Sequence, residues 1–426
     1  MRRAWYRYPR VRFCYSLILS GLAFLWRRLM RRTTFIAVTG SVGKTTATEC
    51  LAGVLSARFP TNATQHGDNG RGGVAATILR TRLQHRFTVI EVGTKKPGAL
   101  KRAAWLIRPD VVVVLVVAGV HTDNFSTLED IAREKSQLMS RLRPQGSAVL
   151  NGDDPRVAAM AARCRGKVLT FGRSPQFDVW ASEVSSRWPG RLSFQVHRGA
   201  ESRMVNTKLV GEHWITSALA ALATALCCGM DLETAASALE QVEPSRGRME
   251  PVLLPSGAQV LRDDVSTTLT SLAPALRVLE RAGTRRVLVL HDAYDSGLAF
   301  SPRMRHLGQM AARSADLAVF FGERSRWLAK VALGAGMKPG SAHHFPDPWG
   351  AAEFLKSELR EGDLVLLRSC HPRHAERIYF AQLGTVGCLK PVCHKVILCD
   401  NCPELRPGLE EAHLLPTPVR PFWEPL

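Results

Sequence analysis

The stretch FIAVTGSVGKTT, residues 35–46, decides the fold of this chain. Its apolar start, Phe35–Val38, predicts a buried strand, and Thr46–Leu55 predicts a helix. The glycines between them let successive backbone N–H groups face an anion at the start of the helix. Val38 stands where the usual phosphate-loop pattern has its first glycine. We therefore predict a variant phosphate-binding loop, whose candidate nucleotide-binding residues are Gly40, Ser41, Gly43, Lys44, Thr45 and Thr46.

Composition indicates a basic globular protein. The 426 residues include 46% hydrophobic and 22% charged residues, and this length predicts two domains. The formal net charge is +20 and the pI is about 10.1. Such a charge favours a polyanionic partner such as nucleic acid or an anionic membrane, although arginines spread along the whole chain also fit a solvated basic surface.

Residues 1–33 predict a basic and apolar N-terminal helix. Arginines flank the apolar run Phe13–Trp26, which is shorter than the roughly 20 residues needed to cross a bilayer. No small-residue cleavage site follows, which disfavours a signal peptide. We predict a helix that either lies on a membrane surface or docks on the body of the protein, and a cytoplasmic location that includes the inner face of the membrane.

Between this helix and residue 248 the chain alternates strands and helices. Phe87–Val92 predicts a strand that contains Glu91, and a carboxylate at such a strand end suits magnesium. The glycine-rich stretch 61–73 before it predicts a loop. Asp110–Val117 shows no alternation, as in the middle of a parallel sheet, and is followed by His121. The fold class is therefore α/β, with a P-loop central ATPase domain at 34–248.

The rest of the chain predicts two further parts. Strands and helices alternate again over 249–384, which predicts a smaller Rossmann-like C-terminal domain. Residues 385–426 form a Cys-rich and Pro-rich tail. Its cysteines have the spacing C-x4-C-x5-C-x2-C, which predicts either a structural zinc site or free, redox-active thiols. The four candidate zinc ligands are Cys388, Cys393, Cys399 and Cys402.

The ordered motifs resemble the Mur ligase family, and most of all its MurF branch, which adds D-alanyl-D-alanine to a peptidoglycan precursor. The motifs are TGSVGKTT, EVGT, His121 with Lys135 fourteen positions on, NGDDP at 151–155, GEHWITSALAALATAL at 211–226 and PSRGRME at 244–250. The resemblance covers about residues 35–380. It implies an enzyme, an ATP-dependent carbon–nitrogen ligase. Such a ligase joins a carboxylate to an amine or amino acid through an acyl phosphate.

The resemblance also implies roles for single residues. Lys44, His121 and Lys135 would be catalytic, and Lys135 is similar to the family's carbamate-bearing lysine. ATP would be bound by the loop together with Arg248 and Asp264. Magnesium would be held by Thr45, Glu91 and His121.

The chain departs from the family pattern in several places, including the amine-side stretch 262–271. The motif Gly-x-His-Asn-x-x-Asn is present as 211–217 without its two asparagines, and only 34 residues precede the loop, where MurF enzymes carry a domain that grips a UDP-sugar. We therefore expect substrates other than those of MurF. Two alternatives stay open: a non-catalytic ATP-binding scaffold, and a basic nucleic-acid-associated ATPase. The ligase hypothesis itself requires no nucleic acid.

Overall fold

The computed structural model describes residues 9–65, 67–94, 96–119, 125–265, 269–291, 300–369, 373–388, 390, 393 and 398–405. The chain divides into two compact units. The first unit comprises Met1–Ser185, Leu192–Lys208 and His213–Glu243, and the second comprises Ser186–Arg191, Leu209–Glu212 and Pro244–Leu426.

Helices and strands alternate along most of the described chain. The helices are α1 (Pro9–Leu29), α2 (Lys44–Ser56), α3 (Arg71–Arg80), α4 (Ala99–Ile107), α5 (Leu128–Ser136), α6 (Pro155–Ala158), α7 (Ile215–Cys227), α8 (Leu232–Glu240), α9 (Leu269–Glu280), α10 (Phe300–Ser314), α11 (Ser325–Gly334), α12 (Pro348–Glu358) and α13 (Glu376–Leu383). Short 3₁₀ turns lie at Gln137–Arg141, Ala159–Arg163, Glu212–Trp214 and Cys399–Asn401.

The strands are β1 (Thr34–Thr39), β2 (Thr61–Ala63), β3 (Phe87–Glu91), β4 (Val111–Val114), β5 (Ser147–Asn151), β6 (Lys167–Gly172), β7 (Val179–Ser185), β8 (Ser193–Arg198), β9 (Glu201–Asn206), β10 (Glu250–Leu253), β11 (Gln259–Asp263), β12 (Arg286–His291), β13 (Leu317–Phe321), β14 (Ala342–Phe345) and β15 (Leu364–Arg368).

A mostly parallel sheet organises the first unit. In the described residues its strand order is β2-β3-β1-β4-β5-β6-β7-β8-β9. β1 pairs with β3 on one side and β4 on the other, both in parallel. β3 and β4 are buried throughout, because helices cover both faces of the sheet. The register pairs Val38 with Glu91, so the strand that leads into the phosphate loop ends beside that carboxylate.

Three strands extend this sheet in a way that the sequence did not predict. β7, β8 and β9 pair in antiparallel fashion at one edge. β7 and β8 alternate buried with more exposed residues, which is typical of a sheet with one solvated face. The fold is therefore α/β with a parallel-rich sheet, as predicted, and it carries an antiparallel extension.

Helix α1 docks on the first unit through one face. Ala23 and Met30 are buried there, and Trp26 Nε1 donates a 2.8 Å hydrogen bond to the carbonyl of Thr81. Arg27 is 2% exposed, donates to the Ile107 carbonyl at 2.6 Å and pairs with Asp110 at 3.1 Å. In the structure, α1 therefore docks on the body of the protein, which is one of its two predicted positions. Within the described residues, no helix combines the length and apolarity needed to cross a membrane.

The second unit has its own mostly parallel sheet. Its described strands follow the order β10-β11-β15-β12-β13-β14, and only β10 runs antiparallel to its neighbour. The predicted smaller α/β sheet is confirmed. The end of the described chain belongs to the core of this unit, because Cys399, Cys402 and Leu405 are buried among its apolar residues.

Candidate active site

The phosphate loop joins β1 to α2. Gly43 has φ +80°, a left-handed conformation that favours glycine. A Cβ at this position would lie 2.8 Å from the hydroxyl of Ser217. Lys44 Nζ folds back over the loop and donates to the carbonyls of Gly40 at 3.0 Å and Ser41 at 3.2 Å. The start of α2 and the Lys44 ammonium thus present positive charge at one place, which suits a phosphate.

The loop is fastened to the segment after β4. The Ser41 amide donates to the Val116 carbonyl at 2.7 Å, and its hydroxyl exchanges hydrogen bonds with the backbone of Ala118 at 3.0 and 2.9 Å. Val117 is fixed in turn by Asp154, which accepts its amide at 2.7 Å. These contacts hold the loop at the carboxyl edge of the sheet, where parallel α/β proteins bind their ligands.

Thr45 and Glu91 both lie beside Gly67, next to the phosphate loop. A Cβ placed on Gly67 would lie 3.3 Å from Thr45 Oγ1 and 3.8 Å from Glu91 Oε2. Glu91 is 1% exposed, and its Oε1 accepts a 2.6 Å hydrogen bond from Asn69 Nδ2. Its Oε2 is buried and has no hydrogen-bond partner in the described chain. A hydroxyl and an unpartnered carboxylate oxygen are ligands that suit Mg²⁺.

Lys135 is buried close to Lys44. It lies near the end of α5 and is 4% exposed. Burial, reinforced by the charge of Lys44, lowers the pKa of the Lys135 amine well below its usual value. Its neighbour Glu134 accepts the amides of Gly98 at 2.8 Å and Leu100 at 2.9 Å, and so caps α4. An uncharged amine is the form that reacts with carbon dioxide, so this environment suits a carbamate.

Helix α7 contacts the phosphate loop through Ser217, at the position where the family pattern has its second asparagine. Its hydroxyl donates to the Gly43 carbonyl at 3.2 Å. Trp214, at the position of the first asparagine, is 9% exposed and packs against the His213 ring.

The first unit therefore brings together Gly40, Ser41, Gly43, Lys44, Thr45, Glu91 and Lys135. Thr46 is buried on α2, and its hydroxyl has no hydrogen-bond partner in the part of the chain described. His121 lies outside the described residues.

The two remaining nucleotide candidates belong to the second unit. Arg248 is half-buried in the turn before β10, and its amide donates to the Ser245 carbonyl at 3.1 Å. Asp264 is fully buried after β11 and accepts a 3.1 Å hydrogen bond from Arg262 Nε. Burial raises the pKa of the Asp264 carboxyl to about 6, although Arg262 opposes the shift. Gly247, with φ +64°, lets the backbone approach this carboxylate closely.

The four cysteines predicted as zinc ligands differ in burial. Cys399 and Cys402 are buried, whereas Cys388 and Cys393 are partly exposed. In the described residues, the potential ligands whose atoms lie within 4.8 Å of one another are His374, Glu376 and Cys399. Of the four cysteines, this group contains Cys399 alone, and its other two members were not predicted from the sequence.

Sequence reasoning also missed polar residues of the first unit. Asn69 contacts Glu91 from the loop before α3, and Glu134 on α5 caps α4 next to Lys135; no periodic pattern marks either role. Asp154 lies in the NGDDP motif, where an Asp before proline is a recognisable helix-capping signal. That signal indicates the cap but not the second contact, to Val117.

A phosphate loop, a strand-end carboxylate and a buried lysine on one α/β scaffold define a P-loop nucleotide-dependent enzyme. Comparison with family models gives the particular family. The Mur ligase middle domain matches residues 38–225, and the Mur ligase glutamate ligase domain matches residues 247–371. The chain belongs to the Mur ligase family, whose members are ATP-dependent amide-forming enzymes that generally use Mg²⁺.

Individual relatives agree with this assignment. The chain is 29% identical over 402 residues to UDP-N-acetylmuramoyl-tripeptide–D-alanyl-D-alanine ligase of Mycobacterium tuberculosis (strain CDC 1551 / Oshkosh), covering 88% of this chain and 75% of the relative. Identity to the Escherichia coli (strain K12) ligase of the same name is 27% over 348 residues, which covers 80% of this chain and 75% of that ligase. A crystal structure of MurF from Acinetobacter baumannii superposes with a TM-score of 0.79 at 26% identity. The match covers 86% of this chain and 80% of the MurF chain.

Proposed function

We propose that this protein activates a carboxylate with ATP and joins it to an amine. The carboxylate oxygen attacks the γ-phosphorus and ADP leaves, which gives an acyl phosphate. The amine nitrogen then attacks the acyl carbon, and phosphate leaves as the amide forms. One observation supports this assignment above the others: Thr45 Oγ1 and the unpartnered oxygen of Glu91 both lie beside Gly67, next to the phosphate loop.

The residues beside the loop fit magnesium. Thr45 and Glu91 would hold the ion, and we propose His121 as a further ligand. A bound Mg²⁺ would neutralise charge on the transferring phosphoryl group. The loop amides and Lys44 would bind the β- and γ-phosphates and keep them in line with the attacking oxygen. Glu91 is held for this role by Asn69, which fixes the direction of the carboxylate.

Lys135 has a different proposed role. As a carbamate it would carry a negative charge on the same face as Lys44, where it would support a second metal ion. Its low exposure and lowered pKa favour the neutral amine that carbamate formation requires. We also propose that residues 34–248 form the ATPase domain and 249–384 the domain that presents the amine, with Arg248 and Asp264 contributing to the nucleotide site.

The names of the relatives suggest the first substrates to test. These relatives are named for UDP-N-acetylmuramoyl-tripeptide and D-alanyl-D-alanine. Trp214 and Ser217, at the positions of the family's asparagines, support a changed ligand preference, so a wider set of carboxylates and amino acids belongs in the same assay. Family membership disfavours the scaffold and the nucleic-acid-associated ATPase.

The assay incubates the full chain with ATP, Mg²⁺ and pairs of carboxylate and amine, and follows ADP and a mass-shifted product. An ¹⁸O-labelled carboxylate should pass one label to inorganic phosphate, because the acyl phosphate retains the carboxylate oxygen. Lys44→Ala should lose ADP release, whereas Lys356→Ala, an exposed lysine of α12, should not. Full turnover by Lys44→Ala would contradict the ligase assignment. ATP hydrolysis that requires DNA or RNA would favour the nucleic-acid-associated ATPase.

We further propose that α1 attaches the enzyme to an anionic lipid surface at the cytoplasmic face of the membrane. Opposite the docked face, Ile18, Leu22, Leu25 and Leu29 are 52–65% exposed and follow one another at helical spacing. Arg28, Arg31, Arg108 and Arg143 line a cavity of about 430 Å³ together with the buried Arg27. An apolar stripe flanked by arginines fits anionic head groups above acyl chains.

Sedimentation with vesicles tests the lipid proposal. The chain should bind vesicles that contain anionic lipid and bind neutral vesicles weakly. Leu22→Glu with Leu25→Glu should reduce binding about tenfold or more, since two apolar contacts are lost. The matched control is Leu83→Glu, because Leu83 is 78% exposed and lies outside α1. Equal binding by the α1 variant and the control would contradict the proposal.

A further inference from the structure

A histidine, a glutamate and a cysteine converge in the second unit, away from the phosphate loop in sequence. His374 precedes α13, Glu376 begins it, and Cys399 opens the 3₁₀ turn Cys399–Asn401. Their exposed fractions are 1%, 0% and 5%. His374 Nδ1 lies 3.4 Å from Cys399 Sγ, and all three potential ligand atoms lie within 4.8 Å of one another.

The carboxylate of Glu376 is the unexplained member of this group. Both of its oxygens are buried, and neither has a hydrogen-bond partner in the described part of the chain. Leaving a buried polar group unsatisfied costs about 1–3 kcal/mol, and more for a charged group. A thiol-to-imidazole hydrogen bond would account for Cys399 and His374. It would leave Glu376 without a partner.

Arg262 favours the charged form of Glu376 at a distance, but neither neighbouring arginine donates a hydrogen bond to it. The adjacent Arg377 donates to the backbone carbonyls of His374 at 3.0 Å and Arg373 at 3.2 Å, and to that of Lys390. Arg262 is engaged by three other carboxylates. It pairs with Glu250 at 3.3 Å, Asp264 at 3.1 Å and Asp400 at 3.0 Å.

Negative charge is therefore in excess around this group. Three carboxylates already share Arg262, and Glu376 adds a fourth buried acid near Asp264 with no hydrogen-bond partner in the described chain. A buried carboxylate beside other acids is stabilised by a cation. His374 has φ +51°, a conformation uncommon for residues other than glycine.

We propose that His374, Glu376 and Cys399 bind one divalent transition-metal ion, with zinc as the favoured metal. Imidazole nitrogen, thiolate sulfur and carboxylate oxygen are the zinc ligands found in proteins. Bonds of about 2.0 Å to nitrogen and 2.3 Å to sulfur at a tetrahedral angle place those atoms about 3.5 Å apart. The observed separation is 3.4 Å. A fourth position is left for water or another donor.

The ion would join two segments that are distant in the sequence. Cys399 belongs to the last described segment, 398–405, whereas Glu376 begins α13 and His374 lies just before it. Because binding energy at such a site adds to folding energy, the ion would fasten this segment to the core of the second unit. The role is structural and separate from ATP turnover, so the site can be tested whether or not the proposed ligase activity holds.

The experiment measures metal on the full-length chain. Purified with zinc present and then passed through a desalting column, it should retain about one zinc per chain. Replacement by Co²⁺ should give the visible absorption of a tetrahedral site and an ultraviolet thiolate-to-cobalt band. Absence of bound zinc, or of the thiolate band in the unaltered protein, would overturn the proposal without depending on any variant.

Variants then distinguish the ligands. Cys399→Ser, Glu376→Gln and His374→Asn should each weaken zinc affinity about tenfold or more, and asparagine tolerates the positive φ of His374. Cys164→Ser, in the first unit, should have no effect. Cys388→Ser and Cys393→Ser should also leave the zinc affinity unchanged. Loss of zinc in these two variants, together with unchanged affinity in Glu376→Gln, would overturn the proposal in favour of the four-cysteine site.

Discussion

Asn69 donates a 2.6 Å hydrogen bond to Glu91 Oε1, while Oε2 of the same carboxylate is buried with no partner among the residues described. One oxygen thus fixes the direction of the carboxylate, and the other lies beside Gly67, as does Thr45 Oγ1. Asn69 acts through Glu91, so it is a positioning residue rather than a catalytic one. A mutation of Asn69 therefore tests the positioning of Glu91 without removing the carboxylate.

Asn69→Ala should weaken the response to magnesium more than the response to ATP. Loss of an orienting partner outside the ligands typically costs 10–100-fold in metal affinity. We expect the Mg²⁺ concentration for half-maximal ADP release to rise about tenfold, with a smaller change in the KM for ATP. The control is Asn62→Ala, because Asn62 donates to the Thr77 carbonyl and does not contact Glu91. An unchanged magnesium response in Asn69→Ala would show that Glu91 needs no positioning.

Much of this site could be predicted because it follows strand ends. Glu91 and the phosphate loop come together since β1 and β3 are parallel neighbours, and consecutive buried strands make such a sheet predictable. Asn69 lies in the glycine-rich stretch 61–73, which was predicted only as a loop. The structure has β2 and the start of α3 within it. The path of the loop back to Glu91 is set by tertiary contacts that no local pattern encodes.

The cysteine tail shows the same limit. Its spacing predicted four cysteine ligands, but spacing describes only neighbours along the chain. His374 and Glu376 lie more than twenty positions before Cys399 and meet it through the packing of α13. The β7–β9 extension was missed for another reason: its alternation is short and interrupted by a register shift in β7.

Gly43→Ala should abolish nucleotide binding and destabilise the first unit. A Cβ at this position would lie 2.8 Å from Ser217 Oγ, and the φ of +80° costs a non-glycine residue about 1–2 kcal/mol. Ser217→Ala alone should cost about 0.5–1.5 kcal/mol, since it removes the hydrogen bond to the Gly43 carbonyl. Urea unfolding and binding of a fluorescent ATP analogue measure the two effects.

The double variant separates backbone strain from the steric clash. Combining Gly43→Ala with Ser217→Gly should recover part of the stability lost in Gly43→Ala, because it removes the clash and leaves the unfavourable φ. If the stability lost in the double variant equals the sum of the losses in Gly43→Ala and Ser217→Gly, Ser217 does not limit the space at Gly43.

Arg262→Met should be among the most damaging substitutions in the second unit. Its guanidinium is 3% exposed, pairs with Glu250, Asp264 and Asp400, and lies 4.5 Å from the centre of the Tyr379 ring. Removing one partner of a buried ion pair costs about 3–5 kcal/mol. We expect a lower denaturation midpoint by urea. Arg286→Met is the matched control, since Arg286 pairs with Asp316 near the surface and should cost about 1 kcal/mol or less.

Activity should depend on carbon dioxide if Lys135 is carbamylated. Ligase assays in degassed, CO₂-free buffer should lose most of the ADP release, and added bicarbonate should restore it. Lys135→Arg should be inactive under both conditions, because a guanidinium remains protonated and does not form a carbamate. The control is Lys208→Arg, a lysine that pairs with Glu243 at the surface. Undiminished turnover after thorough removal of CO₂ would contradict the carbamate.

Lys135→Met should stabilise the protein while it removes activity. Burial and the charge of Lys44 lower the pKa of Lys135 in the folded state, so the unfolded chain binds more protons between that lowered value and 10.5. In CO₂-free buffer, the contribution of Lys135 to the free energy of unfolding therefore rises with pH across this window. Methionine removes the cost of burying the amine, so Tm should rise by a few degrees near neutral pH. A Tm gain that does not shrink between pH 7 and pH 10 would show that Lys135 is not the titrating group.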